Sequence, residues 1–147
     1  MDLAPLLSLV KQYEGLHRLG KDGLVYPYIC PAGYPTQGYG HLVPNMQVPP
    51  ITLAQADAWL EQDVAVAMAQ TLALCPNLRG NRLLAIVDFT FNLGSGRLKA
   101  STLRRKIQAE EWDAVPEQLM RWTRGGGKVL PGLVARRTAE VALWGRQ

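Results

Sequence analysis

Residues 13–41 of the chain read YEGLHRLGKDGLVYPYICPAGYPTQGYGH, and this stretch determines what is expected of the rest. It begins with Glu14, which follows a short segment of apolar residues at helical spacing. A region rich in glycine and proline comes next, and it holds four polar or reactive side chains: Cys30, Thr36, Tyr39 and His41. A carboxylate at a helix end, facing a turn-rich hairpin with small polar groups, is an arrangement suited to hydrolysis.

The segment from Ala4 to Tyr13 predicts a short helix that ends at Glu14, with Gly15 as its C-terminal cap. The dipole of a helix favours a cation at this end, so a carboxylate is unfavourable there. An ordinary surface charge is the simpler interpretation of Glu14, and its placement adds weight to a functional role.

The glycine- and proline-rich region after Glu14 excludes long helices. Leu24 to Ile29 contains β-branched and aromatic residues and predicts a strand. Thr36 to His41 predicts a second strand, which pairs with the first across a Pro-Ala-Gly-Tyr-Pro turn. We therefore expect a small twisted sheet with irregular connections.

The second part of the chain predicts helices. Thr52 is a good N-cap for a continuous helix from Leu53 to Leu74, which at 1.5 Å per residue extends roughly 33 Å and can join two lobes. Gly125–Gly127 predicts a flexible break. The pattern as a whole predicts one domain, residues 1–147, with two unequal lobes. Four more helices are predicted over Arg79–Asn92, Ser101–Ala109, Glu111–Trp122 and Pro131–Trp144.

The charge of the chain is unevenly distributed. The formal net charge is +4, made up of −3 over residues 1–78 and +7 over residues 79–147. A basic half indicates an anionic partner such as nucleic acid, a membrane surface or a cell envelope, although a solvated basic face that aids solubility is the simpler interpretation. No apolar run approaches the ~20 residues that span a bilayer, and Asp2 and Pro5 interrupt any secretory signal pattern.

The two cysteines, Cys30 and Cys75, are expected to be reduced thiols in a protein made in the cytoplasm. Neither has the CxxC spacing of a zinc or redox site, so no metal or cofactor is expected.

Hydrolysis of an acetal requires a proton donor for the leaving oxygen and a group that holds the attacking water. Glu14 is the best candidate for the donor, because partial burial behind the hairpin would raise its pKa. The hydroxyl of Thr36 both donates and accepts hydrogen bonds and can orient a water molecule. The thiol of Cys30 is a weak base at neutral pH unless its surroundings lower its pKa.

A cysteine nucleophile activated by histidine is the competing interpretation, with Cys30 and either His17 or His41. The sequence Cys30-Pro-Ala-Gly is typical of a turn, which argues against a nucleophilic role for this cysteine. We expect His41 to be structural instead, paired with Asp63 of the long helix.

Several short motifs occur in order along nearly the whole chain: Tyr13-Glu14-Gly15-Leu16, Cys30 to His41, Gln62-Asp63, Phe89 to Gly94, Ser101-Thr102-Leu103, Arg121-Trp122, Gly126 to Leu133 and Arg136 to Glu140. Each motif is weakly specific alone. Their order and spacing together resemble those of the phage lysozymes, the muramidase-type endolysins of glycoside hydrolase family 24.

The resemblance implies a catalytic group made of a Glu, an Asp or Cys, and a Thr, which Glu14, Cys30 and Thr36 match in kind. Fifteen residues separate Glu14 from Cys30, more than is usual in the family, so Asp22 is an alternative for the middle position. Cys30 is preferred because the Pro-Ala-Gly-Tyr-Pro-Thr sequence follows it directly. Asp22 lies in Gly-Lys-Asp-Gly, which is typical of a turn.

The resemblance also implies the fold and the surroundings of the site. The expected fold is α+β, mainly α, with a small β-containing lobe, a larger helical lobe, a long connecting helix and a cleft between the lobes. Tyr39 and Asn92 are implied to bind substrate, and Arg136 or Arg137 to lie near Glu14. A cation at that place would lower the pKa of Glu14 and oppose the effect of burial.

The function implied is hydrolysis of the β-1,4 bond between N-acetylmuramic acid and N-acetylglucosamine in peptidoglycan, without a covalent sugar intermediate, leading to lysis. A lytic transglycosylase acting on the same bond and a non-catalytic wall-binding relative are alternatives. A nucleic-acid-binding module is a third, but Arg104-Arg105-Lys106 lacks interleaved aromatic residues.

The expected partner is therefore peptidoglycan rather than nucleic acid, with no stable insertion into a membrane. The chain is expected to act as a monomer. It is expected to be made in the host cytoplasm and to need a separate pore-forming holin to reach the wall.

Overall fold

The computed structural model describes residues 1–146. The chain divides into two compact units. One unit, Val10–Ala65, contains a small sheet and is called the sheet unit below. The other, called the helical unit, consists of Met1–Leu9 and the described residues from Val66 onward. The organisation of all 147 residues as one domain stays a prediction.

Helices account for most of the secondary structure, as predicted. They are α1 (Ala4–Glu14), α2 (Leu53–Leu74), α3 (Gly80–Leu93), α4 (Ser95–Ala100), α5 (Thr102–Gln108), α6 (Val115–Met120) and α7 (Pro131–Gly145). The strands are β1 (Tyr28–Ile29), β2 (Pro35–Gln37), β3 (His41–Leu42), β4 (Arg124–Gly125) and β5 (Lys128–Val129).

The sheet of the sheet unit is antiparallel, with the order β1-β2-β3. The predicted strand Leu24–Ile29 is wrong in extent: only its last two residues form β1, and Val25 forms isolated bridges instead. Pro27 explains the difference, because it has no N–H to give to a ladder. The predicted strand Thr36–His41 is also wrong, since the chain turns at residues 38–40 and β3 returns along β2.

Buried polar contacts compensate for the shortness of these strands. The side-chain amide of Gln37 donates to the carbonyl oxygens of Val25 and Pro49, each at 3.0 Å. Val25 and Ile51 exchange two backbone hydrogen bonds, at 2.7 and 3.0 Å. Because Gln37 is buried, losing these bonds would leave polar groups without partners. Gln37 therefore fastens both flanking loops to β2.

The helical unit is centred on α3, whose residues from Leu83 to Thr90 are all buried. A helix that is apolar around most of its circumference belongs inside a bundle, and α3 packs mainly against α7. The predicted helix over Leu53–Leu74 is confirmed as α2, and Thr52 accepts a hydrogen bond from the N–H of Gln55 at 3.1 Å. The side chain of Thr52 is thus the N-cap, as predicted.

Three details of the second half differ from the prediction. The helix α4 was not predicted, and Ser101, the predicted start of the next helix, is the N-cap of α5. The predicted helix Glu111–Trp122 is a 3-10 turn over Trp112–Ala114 followed by α6. The predicted flexible break at Gly125–Gly127 is wrong, because β4 and β5 form a hairpin there. Gly126 and Gly127 both have positive φ, 58° and 78°, which is what a two-residue hairpin turn requires.

Candidate active site

Glu14 is the last residue of α1, and its carboxylate lies over the turn between β2 and β3. A methyl group built on Gly40 would be 3.1 Å from Glu14 Oε1, which is closer than ordinary van der Waals contact. Gly40 also has a φ of +88°, in the region that favours glycine. Glycine at position 40 therefore leaves room for the carboxylate of the half-buried Glu14.

The hairpin that carries Cys30 and Thr36 is tightly built. Tyr28 lies directly opposite Thr36 in the ladder, and the N–H of Cys30 donates to the carbonyl of Tyr34 at 3.0 Å. The N–H of Gly33 donates to the carbonyl of Cys30 at 2.8 Å and closes the turn. Residues directly opposite each other in a ladder share a face, so Tyr28 lies on the side of the sheet that bears Thr36, and Cys30 directly follows β1.

The side chains of Cys30 and Thr36 interact with each other. The hydroxyl of Thr36 donates to the carbonyl of Tyr34 at 2.8 Å. Hydrogen bonds from the backbone at Tyr34 and from the Thr36 hydroxyl lower the pKa of the Cys30 thiol. One hydroxyl proton serves one acceptor at a time, so the thiolate competes with the carbonyl for it. The structure thus brings two of the predicted catalytic residues together, with a more acidic thiol than usual.

Asp22, the alternative middle residue, is part of a separate turn. Its Oδ1 accepts a hydrogen bond from the N–H of Leu24 at 3.0 Å, and its Oδ2 accepts one from the hydroxyl of Tyr26. These bonds, that from Tyr26 first, lower the pKa of Asp22. Both carboxylate oxygens are thus used locally in the turn predicted for this sequence.

His41 has the structural surroundings predicted for it. Its Nδ1 lies 2.9 Å from Asp63 Oδ2, and its ring stacks on Trp59 at a centroid distance of 4.3 Å. Tyr39 is half-buried, and the ammonium group of Lys11 lies 5.4 Å from its ring centroid. The role of Tyr39 in binding substrate stays a prediction.

Asn92, Arg136 and Arg137 take part in a buried network of the helical unit. Arg136 donates two hydrogen bonds to Asp88, at 2.8 and 2.9 Å, and Arg137 donates to Asn92 Oδ1 at 2.7 Å. Arg137 also donates to Glu140 at 2.9 Å. Burial first, and then Asp88, raise the pKa of Glu140 well above its usual range. The proximity of either arginine to Glu14, and a role for Asn92 in binding substrate, stay predictions.

Three residues near the site were not singled out from the sequence as part of it: Tyr28, Gln37 and Gly40. The period of two along a strand could have identified Tyr28, because it precedes Cys30 by two positions. Gln37 and Gly40 had no such signal, since their roles depend on the path of neighbouring loops.

Among residues 1–146, no three His, Cys, Asp or Glu side chains are grouped so that they could hold a metal ion. No helix in the same range is long and apolar enough to span a membrane. Cys30 and Cys75 are both free thiols, and burial raises the pKa of Cys75 to about 11.

The chain is mainly helical with small sheets, and its candidate site combines a helix-terminal Glu with a hairpin that carries a Cys–Thr pair. The Phage lysozyme family profile matches residues 11–140. The chain belongs to the phage lysozyme family, whose members hydrolyse peptidoglycan, and the predicted enzyme class is confirmed.

Individual relatives agree with this assignment. The endolysin of Acyrthosiphon pisum secondary endosymbiont phage 1 is 36% identical over 145 residues, which cover 94% of this chain and 93% of that protein. The SAR-endolysin of Bacteriophage PS34 is 36% identical over 137 residues, covering 87% and 80%.

Two solved structures are similar in fold. The muramidase domain of SpmX from Asticaccaulis excentricus has a TM-score of 0.84 at 25% identity, covering 99% of this chain and 97% of that one. The endolysin from Escherichia coli O157:H7 phage FAHEc1 has a TM-score of 0.81 at 27% identity, covering 99% and 94%. The predicted lysozyme-like class of fold is thereby confirmed.

Proposed function

We propose that Glu14 is the general acid with which this enzyme cleaves the β-1,4 bond between N-acetylmuramic acid and N-acetylglucosamine. The observation that carries the proposal is the Glu14 carboxylate against Gly40, at the turn between two strands of the sheet that bears Cys30 and Thr36. A carboxylic acid at this place protonates the glycosidic oxygen as the bond to the sugar breaks.

Thr36 and Cys30 hold the attacking water in this proposal. The buried Thr36 has a hydroxyl that can both accept a hydrogen bond from water and donate one. The more acidic thiol of Cys30 supplies an acceptor that withdraws a proton from the water as it attacks. As the family resemblance implies, the water attacks the sugar directly, so no covalent bond to the enzyme forms.

Replacement of Glu14 by the isosteric glutamine tests the assignment. Glu14→Gln keeps the shape of the side chain but removes the proton that is donated, and loss of general acid catalysis costs about a hundredfold or more in rate. We expect Glu14→Gln to retain the thermal unfolding midpoint of the wild type and to lose wall clearing. The matched control is Glu61→Gln on the exposed surface of α2, which should clear walls at the wild-type rate.

Analysis of the released muropeptides by mass spectrometry completes the test. Hydrolysis leaves a reducing sugar, whereas a transglycosylase leaves a 1,6-anhydro product that is lighter by one water. A 1,6-anhydro product would contradict hydrolysis, and wall clearing by Glu14→Gln at a rate comparable with the wild type would contradict the role of Glu14.

The route to the substrate is a further part of the proposal. We propose that the monomeric chain is made in the host cytoplasm and reaches the wall through a membrane opened by a separate holin. Its support is membership of a family whose relatives here carry the name endolysin. Expression of the chain in cells with and without a holin, followed by culture turbidity, tests this dependence.

A further inference from the structure

Tyr28 occupies a central position among the proposed catalytic residues. It lies opposite Thr36 in the strand pair and two residues before Cys30, which directly follows β1. Its side chain is half-buried, so part of its ring packs against other residues. Tyr28 is thus next to two of the three residues to which the mechanism assigns roles.

His17 connects β1 to Glu14, the third of the proposed catalytic residues. The rings of His17 and Tyr28 have centroids 4.7 Å apart and planes inclined by 42°. The Nε2 of His17 lies 3.2 Å from the carbonyl oxygen of Glu14 and donates to it when Nε2 carries the proton. The last carbonyls of a helix have no partner within the helix, so His17 caps the end of α1 at Glu14 itself.

The hydroxyl of Tyr28 interacts electrostatically with Glu14 and Cys30. Burial is the first cause that raises the pKa of Tyr28, and the negative charges of Glu14 and Cys30 are the next two. A phenol near two anions resists ionisation, because a third negative charge there is unfavourable. Tyr28 therefore stays protonated to a higher pH than an isolated tyrosine.

We propose that Tyr28 and His17 are positioning residues that hold the Glu14 end of α1 against the strand pair of Cys30 and Thr36. His17 binds the backbone of Glu14, and the ring of Tyr28 holds His17 beside the hairpin. The inference rests on the proposed role of Glu14 as general acid. Catalysis depends on such placement, since a displacement of about 1 Å can cost about a hundredfold in rate.

Kinetics of three variants test the connection. Tyr28→Leu and His17→Ala each remove the ring contact, and we expect kcat to fall about ten- to hundredfold while KM changes by less than about twofold. The double variant should be no slower than the slower single variant, because both changes break the same connection. Tyr28→Phe retains the ring and should recover most of kcat.

The control for these variants is Leu42→Ala. Leu42 is the other cross-strand partner of Thr36, but it is exposed and lies on β3. Leu42→Ala should therefore leave kcat within about twofold of the wild type. A wild-type kcat for Tyr28→Leu, or multiplied losses in the double variant, would overturn the proposal. If Tyr28→Leu does not fold, the exposed His17→Ala alone decides, because the proposal requires its kcat to fall.

Titration of tyrosine hydroxyls gives a readout that does not depend on activity. With ¹³C-labelled tyrosine, NMR should show that Glu14→Gln lowers the pKa of Tyr28 and leaves that of Tyr26 unchanged. Asp22→Asn should lower the pKa of Tyr26 and leave that of Tyr28 unchanged. The hydrogen bond between Tyr26 and Asp22 is the first cause that raises the pKa of Tyr26. If the pKa of Tyr28 is unchanged in Glu14→Gln, the two side chains do not interact and the inference is refuted. Wall clearing by Glu14→Gln would instead refute only the proposed function.

Discussion

Asp22 and Cys30 compete for the middle position of the catalytic group, and the two side chains differ in how they are bound. Both carboxylate oxygens of Asp22 accept hydrogen bonds within its own turn, from Leu24 and Tyr26. The pKa of the Cys30 thiol is lowered by hydrogen bonds from the backbone at Tyr34 and from the hydroxyl of Thr36. A group that holds the attacking water together with Thr36 must lie beside Thr36, and this favours Cys30 over Asp22.

Substitution separates the two candidates. Cys30→Asp supplies a carboxylate in place of the thiol and should retain wall clearing within about an order of magnitude of the wild type, because either group accepts a proton from water. Asp22→Ala removes only the bonds of a solvent-exposed turn and should clear walls at close to the wild-type rate. Wall clearing and thermal unfolding are measured on both. A folded but inactive Asp22→Ala protein would reverse the choice.

The residues of the site differed in how far the sequence could predict them. Glu14 could be singled out because a carboxylate at a helix C-terminus opposes the helix dipole, and its catalytic role stays a prediction. The pairing of His41 with Asp63 was also predicted, and the structure confirms it. The contact of His17 with Tyr28 could not be predicted, since it depends on the path of the loop between α1 and β1.

Among the elements, the helices followed the sequence closely and the strands did not. A helix is set by local periodicity and caps, and α2 begins at its predicted residue beside Thr52. A strand is set by partners distant in sequence, so a single proline could shorten β1 to two residues. The hairpin of β4 and β5 was missed because three consecutive glycines are typical of both a flexible linker and a tight turn.

The two principal helices of the helical unit are joined by a buried ion pair. Asp88 on α3 and Arg136 on α7 form two hydrogen bonds with almost no exposure to solvent. Removing one partner of such a pair leaves an uncompensated charge away from water. The pair therefore links α3 to α7, and removal of either partner is expected to destabilise the helical unit.

Asp88→Ala should lower the free energy of unfolding by about 3–5 kcal/mol, because the buried Arg136 would lose the two hydrogen bonds and the opposite charge that Asp88 provides. Urea denaturation measures the change. The control is Glu117→Ala, which breaks the exposed pair with Arg121 on one turn of helix, and it should cost about 0.5 kcal/mol or less. A loss from Asp88→Ala no larger than that of the control would show that Arg136 finds another partner.

Taken as a whole, the molecule has an excess of positive charge in its second half. The sequence from Ser95 to Gln108, which forms α4 and α5, contains five cations and no acidic residue. Three of the five have partners: Arg104 donates to backbone carbonyls, Arg105 donates to the hydroxyl of Thr102 at 2.9 Å, and Lys106 lies 3.3 Å from Glu111. Arg97, Lys99 and Arg105 are exposed. Such charges attract anionic surfaces from a distance and raise the rate of encounter.

This charge predicts a dependence of wall clearing on salt. The triple variant Arg97→Gln/Lys99→Gln/Arg105→Gln should clear anionic sacculi more slowly than the wild type at low ionic strength, with a several-fold difference. At about 1 M salt, where charges are screened beyond ~3 Å, the two rates should converge. A short soluble fragment of peptidoglycan serves as the control substrate, because its few charges steer the encounter far less than a sacculus does, and both proteins should cleave it at similar rates. Equal clearing of sacculi at low salt would leave the basic half as a solvated face with no effect on the encounter.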